Sequence, residues 1–216
     1  MDITHITVTD VTNIGDPFVL RVGGTYYLYA TSFKDGFDCR TSDDLVHWSE
    51  PRMAYTRGER SFGYTDFWAP EVVFHEGKYI MHYSARRKGD DTLLIGVAVS
   101  DRPEGPFVDV TDGPMFDFGY AAIDGHVLRD GKDSYLFYSR DCSQYVVDGR
   151  RESHIYAVRL DDSLTRTVGE PVHISGPDCP WETVTGDTRW NEGPFIVKRD
   201  GIYYLMYSSG YFASPT

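Results

Sequence analysis

One pattern occurs four times along the chain: a short apolar run, a turn containing glycine, and a tyrosine-rich run that ends in Ser or Thr. The four copies span residues 16–31, 69–84, 124–139 and 192–208. Short runs rich in β-branched and aromatic residues, joined by a glycine turn, are typical of β-hairpins. A chain that repeats one hairpin is expected to fold as a set of equivalent units.

Further strand-like segments at residues 93–100 and 153–160 follow the second and third hairpins, so each unit can supply about four strands. The spacings between units are 53, 55 and 69 residues, measured on the closing residues Thr31, Ser84, Ser139 and Ser208. Segments of helical periodicity are absent. The sequence therefore predicts an all-β fold, a β-propeller. A β-sandwich is the alternative, but it would not need the same hairpin repeatedly.

The charge of the chain restricts its partners. With 21 basic and 33 acidic residues the net charge is −12, which would repel nucleic acid and anionic membranes. The chain has no apolar run of the roughly 20 residues that span a bilayer, and its start, Met1–His5, lacks the pattern of a signal peptide. We expect a cytoplasmic protein with a neutral partner. The three cysteines share no metal-binding spacing and are expected to be free thiols.

Three of the four units carry an acidic residue where the first strand begins. Asp16 and Asp124 each lie 15 residues before the closing residue of their hairpin, and Glu192 lies 16 residues before its own. In the second unit Ala69 takes this place, and Glu71 follows two residues later. Because the first strands of a propeller line its axis, the three acids are expected to converge at one end of the channel.

Converging carboxylates suit the hydrolysis of a glycosidic bond. One acid protonates the departing oxygen and a second activates water or attacks the sugar, while a third can orient the sugar or raise the proton affinity of the acid. An Asp or Glu before Pro or Gly can also serve only to form a turn. Three acids at matched places in repeated units favour the catalytic interpretation.

Four segments resemble the successive signatures of glycoside hydrolase family 43. They are Asn13–Val19, Phe67–Val72, Ala122–Val127 and Asn191–Phe195. The resemblance runs in the right order over nearly the whole chain. It implies a five-bladed β-propeller that acts on arabinose- and xylose-containing glycans with inversion at the anomeric carbon.

The resemblance also implies roles for individual residues. Asp16 would be the general base that activates water, Glu192 the general acid, and Asp124 the carboxylate that orients the substrate and tunes the acid. Phe33 and Trp68 would form apolar walls of the sugar pocket, where the C–H face of a sugar packs on an aromatic ring. For both, a place in the propeller core is the alternative.

His126 alternates with Asp124 along the strand and is expected to share its face, in reach of a substrate or an ion. A core histidine satisfied by its neighbours is the alternative. No cofactor is expected to be required. The resemblance is compatible with a structural calcium or another cation near the propeller axis, whose best-attested ligand lies outside this chain.

The chain ends inside what should be the fourth blade, whereas the family pattern continues into a fifth. We therefore expect residues 1–216 to be a single catalytic propeller domain, incomplete at its C-terminal end. The leading hypothesis is an inverting α-L-arabinofuranosidase or β-xylosidase that releases single sugars from plant-type oligosaccharides. The alternatives are an endo-arabinanase or β-galactosidase of the same fold, or a propeller that binds glycans without cleaving them. The oligomeric state is left open.

Overall fold

The computed structural model describes residues 8–31, 35–182 and 188–210. Over these residues the chain forms strands, with a single 3-10 turn at Pro180–Glu182. Within the same residues no helix has the length and apolar character needed to cross a membrane. The all-β prediction is confirmed.

The strands are grouped into small antiparallel sheets that follow one another along the chain, as blades do. The first blade has the strands β1 (Phe18–Val22), β2 (Thr25–Tyr29), β3 (Gly36–Ser42) and β4 (Arg52–Thr56). The second blade has β5 (Gly63–His75), β6 (Lys78–Arg87), β7 (Leu93–Ser100) and β8 (Val108–Asp109).

The third blade is interrupted between its second and third strands by a segment that contributes to a separate sheet. Its four strands are β9 (Ala122–Asp130), β10 (Asp133–Arg140), β13 (His154–Leu160) and β14 (Thr167–Ser175). A small separate sheet is formed by β11 (Val146–Val147), β12 (Arg150–Glu152) and β15 (Thr188–Arg189). The described part of the fourth blade is the hairpin of β16 (Asn191–Arg199) and β17 (Ile202–Ser209).

A two-residue turn that contains glycine connects the first two strands of each blade, as the sequence predicted. In two of these turns both turn residues adopt left-handed backbone angles, with φ of 48° and 81° at Glu76 and Gly77 and of 52° and 79° at Asp200 and Gly201. Two left-handed residues match the right-handed twist of the flanking strands. The hairpins of the second and fourth blades are thus explained by local turn chemistry.

Apolar side chains fill the space between neighbouring blades. One buried cluster joins the first and second blades and is rich in aromatic residues, among them Phe37, Tyr55 and Tyr83. A second cluster joins the second and third blades and includes Ile95 and Leu136. The first strands of successive blades also touch, β1 with β5, β5 with β9, and β9 with β16. The entrances of the first strands are therefore brought together around one axis.

Candidate active site

In each blade one residue in the first strand, or just before it, has a left-handed backbone that kinks the chain. The φ angles are 48° at Asp16, 44° at Ala69, 59° at Asp124 and 61° at Gly193. Such angles are uncommon outside glycine, although Asp tolerates them better than most residues. In the fourth blade glycine takes the kinked position and the acid, Glu192, precedes it. This explains why Glu192 lies one residue further from its closing residue than the two aspartates do.

Hydroxyl groups at the ends of the hairpins hold these kinks in place from the neighbouring blade. Thr31 Oγ1 accepts a hydrogen bond from the backbone N–H of Ala69 at 3.0 Å. Ser84 Oγ accepts one from the N–H of Asp124 at 2.9 Å. We call these two contacts the interblade clasps. They explain why the first two hairpins close on Thr and Ser.

Between the third and fourth blades a carboxylate takes the place of the hydroxyl group. The N–H of Gly193 donates to Asp124 Oδ2 at 3.0 Å, whereas Ser139 Oγ, in the position of Ser84, is buried without a hydrogen-bond partner among the described residues. Asp124 is therefore held at both ends, through its own N–H by Ser84 and through its carboxylate by the fourth blade.

The three predicted acids have different surroundings. Asp16 is exposed, and its carboxylate accepts a hydrogen bond from the Thr31 hydroxyl. Asp124 is half-buried; burial, with the negative charges of Glu192 and Asp16 adding to it, raises its pKa well above the usual value. The influence of both other acids on Asp124 shows that the structure brings the three carboxylates into one site.

Glu192 is held by Ser153, whose Oγ donates to Glu192 Oε1 at 2.6 Å. Burial raises the pKa of Glu192 to about 7, the Ser153 hydrogen bond opposes this, and the negative charges of Asp141 and Asp16 add to it. A carboxylic acid that keeps its proton near neutral pH is suited to general acid catalysis.

The sequence reasoning missed Asp141, which follows β10 directly and is only 7% exposed. One of its carboxylate oxygens lies within 4.8 Å of a Glu192 carboxylate oxygen. A signal for it existed in the repeat. Asp141 stands two residues after the closing residue of its hairpin, as do Phe33 and Arg86 in the first two units.

The remaining predicted residues differ in their burial and in the contacts they make. Trp68 is half-buried and packs on a small cluster of Leu93, Ala121 and Ile123. His126 is 6% exposed; its Nδ1 lies 2.8 Å from Glu71 Oε2, and its ring packs on Phe195 at 4.4 Å. Its position between blades favours the core-histidine alternative. Phe33 lies outside the described residues.

A cation site near the axis can be tested against the donor atoms present. Asp141, Cys142 and Glu192 each place one donor atom within 4.8 Å of the others. Burial raises the pKa of the Cys142 thiol to about 11, so that at neutral pH it is not the thiolate that binds metals. Calcium prefers a shell of six to eight oxygen atoms. These donors do not fit the cation, and we assign none to them.

Comparison with known proteins identifies the family. The family profile described as "Glycosyl hydrolases family 43" matches residues 11–216. The chain belongs to glycosyl hydrolases family 43. Among solved structures, one described as a thermostable family-43 glycoside hydrolase matches 96% of this chain with a TM-score of 0.89 and 40% sequence identity, and the match covers 67% of that structure.

Two curated relatives of this family 43 chain carry more specific names. An "Extracellular endo-alpha-(1->5)-L-arabinanase" of Thermotoga petrophila is 29% identical over 91% of this chain and 45% of its own length. A "Xylosidase/arabinosidase" of Bacteroides ovatus is 32% identical over 66% of this chain and 49% of its own length. The chain thus spans about half the length of these relatives.

Proposed function

We propose that this family 43 chain carries the acid–base site of a glycoside hydrolase that cleaves arabinan- or xylan-type glycans with inversion. The observation that carries the proposal is the contrast between two converging acids. Asp16 is exposed to water, whereas Glu192 is half-buried and its pKa is raised to about 7. Asp16 is therefore placed to take a proton from water, and Glu192 still carries the proton that the glycosidic oxygen needs.

In the proposed reaction Asp16 accepts a proton from a water molecule as the water oxygen attacks the anomeric carbon. The bond from that carbon to the glycosidic oxygen breaks, and Glu192 gives its proton to the departing oxygen. Attack from the face opposite the leaving group inverts the anomeric configuration. Exchange with solvent then returns Asp16 to its carboxylate form and Glu192 to its acid form.

Asp124 is assigned the positioning of the sugar. Its Oδ2 already accepts the Gly193 N–H, so its other oxygen is the one assigned to a hydrogen bond with a sugar hydroxyl. Trp68 is assigned an apolar wall of the pocket. We assign His126 to the interface between blades, where its bond to Glu71 supports the strand that carries Asp124.

The names of the two relatives suggest which candidate substrates to test first. The Thermotoga relative is named an endo-arabinanase, which supports α-1,5-linked arabinan as the first substrate to test. The Bacteroides relative is named a xylosidase/arabinosidase, which supports the release of single arabinose or xylose units as the second candidate. Cytoplasmic location stays a prediction from the sequence.

The test is a digest of linear α-1,5-arabinan, beside aryl α-L-arabinofuranoside and aryl β-D-xyloside, with the full natural protein. An endo enzyme shortens arabinan to a ladder of oligosaccharides, whereas an exo enzyme releases single sugars and cleaves an aryl glycoside. Asp16→Asn is the matched control and should abolish either activity. Glycan binding without turnover would overturn the proposal and favour a binding propeller.

A further inference from the structure

We propose that Asp141 is a fourth functional carboxylate of this site, a positioning residue whose negative charge beside Glu192 keeps the proton on the general acid until the glycosidic oxygen takes it. The inference rests on the proposed function, because it assigns Glu192 the acid role. Asp141 itself is given no contact with the substrate.

The backbone around Asp141 fixes where its charge lies. Its N–H donates to the carbonyl of Ala121 at 2.9 Å, which ties it to the start of β9. Its Oδ1 accepts the N–H of Ser143 at 2.9 Å. The side chain is 7% exposed, so the carboxylate is held at the junction between β9 and β10 rather than swinging in solvent.

A buried serine connects this segment to the acid. Ser153, fully buried, accepts the N–H of Cys142 at 3.0 Å and donates its hydroxyl to Glu192 Oε1 at 2.6 Å. Its backbone N–H donates to the Arg189 carbonyl at 2.9 Å. Ser153 therefore connects the backbone next to Asp141 with Glu192, and the carboxylates of the two acids lie within 4.8 Å of each other. Because Oε1 accepts from Ser153, Oε2 is left to carry the proton.

The charges around the pair are almost all negative. Asp16 approaches from the first blade and Asp124 from β9, and both interact electrostatically with Glu192 or Asp141. Cys142 is a neutral thiol. The side chain of the neighbouring Arg140 packs against aromatic rings. Its guanidinium carbon lies 3.7 Å from the ring centre of Tyr145 and 4.3 Å from that of Tyr120.

No ion pair to Asp141 occurs within residues 8–31, 35–182 and 188–210. An uncompensated carboxylate beside a buried carboxyl group disfavours its ionisation. The negative charge of Asp141 is accordingly one of the influences that raise the pKa of Glu192. Asp141 thus extends the working range of the acid toward higher pH.

The first experiment measures kcat/KM against pH on an arabino-oligosaccharide, whose poor leaving group needs the acid. Asp141→Asn keeps an acceptor for the Ser143 N–H but removes the charge. We expect the alkaline limb of the profile to move down by about one pH unit, so that the variant loses about tenfold in rate at pH values above the limb. Asp148→Asn is the matched control, an exposed acid of the same loop.

Two comparisons separate this role from a structural one. An activated aryl glycoside hardly needs the acid, so Asp141→Asn should leave its profile nearly unchanged, and Asp141→Glu should restore much of the alkaline limb on the oligosaccharide. An unmoved limb, or an equal loss at every pH and on both substrates, would overturn the proposal.

A direct titration separates failure of this inference from failure of the proposed function. The infrared band of the protonated Glu192 carboxyl, assigned by its loss in Glu192→Gln, is followed against pH in the wild type and in Asp141→Asn. A lower titration midpoint in Asp141→Asn supports the inference without any turnover. An unchanged midpoint in a protein that does cleave arabinan would overturn the role of Asp141 and leave the hydrolase intact.

Discussion

At the scale of the residue, the chemistry of the site is set by surroundings rather than by residue type. Asp16 and Asp124 have the same side chain and the same left-handed backbone. One is open to water and the other is clamped between two blades. Glu192 differs again, because burial and neighbouring charges keep it protonated near neutral pH. In the proposed mechanism one kind of functional group thus serves as base, as acid and as sugar-positioning group.

Glu192 makes the stability of the folded chain depend on pH. Its pKa is raised from 4.5 to about 7 in the fold, so between these values the folded state binds more protons than the unfolded state. The free energy of unfolding therefore falls as pH rises through this window. In Glu192→Gln this contribution is absent, and we expect the variant to gain on the order of 3 kcal/mol relative to wild type between acidic and mildly alkaline pH.

Urea unfolding of both proteins at the two pH values measures this difference. Glu50→Gln is the control, because Glu50 is exposed and its replacement should not change the pH dependence. A Glu192→Gln variant whose stability relative to wild type is the same at both pH values would contradict the raised pKa.

Glu192 also has a kinetic signature. Replacement with alanine removes the proton donor, so cleavage of an oligosaccharide should slow by about 100-fold or more, while an activated aryl glycoside, whose leaving group departs unaided, should slow much less. Steady-state rates on the two substrates check this. Equal losses would count against the acid role.

At the scale of the element, the interblade clasps connect each of the first two hairpins to the kinked residue of the next blade, which in one case is the candidate acid Asp124. The closing hydroxyl of one hairpin supports the kinked residue of the next blade, as Ser84 does for Asp124. The same position in the third hairpin, Ser139, has no such partner in the described chain. Two serines equivalent in the repeat therefore differ in what they contribute.

This difference gives a matched pair of variants. Ser84→Ala leaves the N–H of Asp124 buried without its acceptor and should cost about 1–3 kcal/mol, and it should lower kcat because Asp124 is no longer fixed. Ser139→Ala removes a hydroxyl that has no partner and should be nearly neutral in both respects. Thermal unfolding and kinetics of the two variants test this, and equal effects would contradict the clasp.

At the scale of the whole molecule, stability comes from the layers between blades. Leu136 is fully buried in the cluster between the second and third blades. Leu136→Ala should cost about 2–5 kcal/mol, through the lost apolar contact and the cavity left behind. Because the clusters join successive blades, circular dichroism and tryptophan fluorescence should report one shared unfolding transition.

Val172→Ala serves as the control for this prediction, since Val172 is 61% exposed and its replacement should change stability by about 0.5 kcal/mol or less. Separate transitions for the two probes would show that the blades unfold independently, and similar losses in the two variants would contradict the role of Leu136 between the blades.

The sequence predicted what depends on local repetition and not what depends on packing between blades. Turn pairs such as Asp200 and Gly201, and the alignment of Asp16 with Asp124, can be read from spacing because each lies within one hairpin. The pairing of His126 with Glu71 and the approach of Asp141 to Glu192 each join residues of different blades. No short pattern encodes those distances.

In the proposed mechanism, carboxylates from three blades form an inverting acid–base pair with a positioning acid. The most direct test is to follow the first sugar released from an arabino-oligosaccharide by proton NMR, before its anomers equilibrate, using the full natural protein. We predict that the anomer opposite to the cleaved linkage forms first, and that Asp16→Asn forms none. First formation of the same anomer as the substrate would mean a retaining reaction and would contradict the assignment of Asp16 as the base.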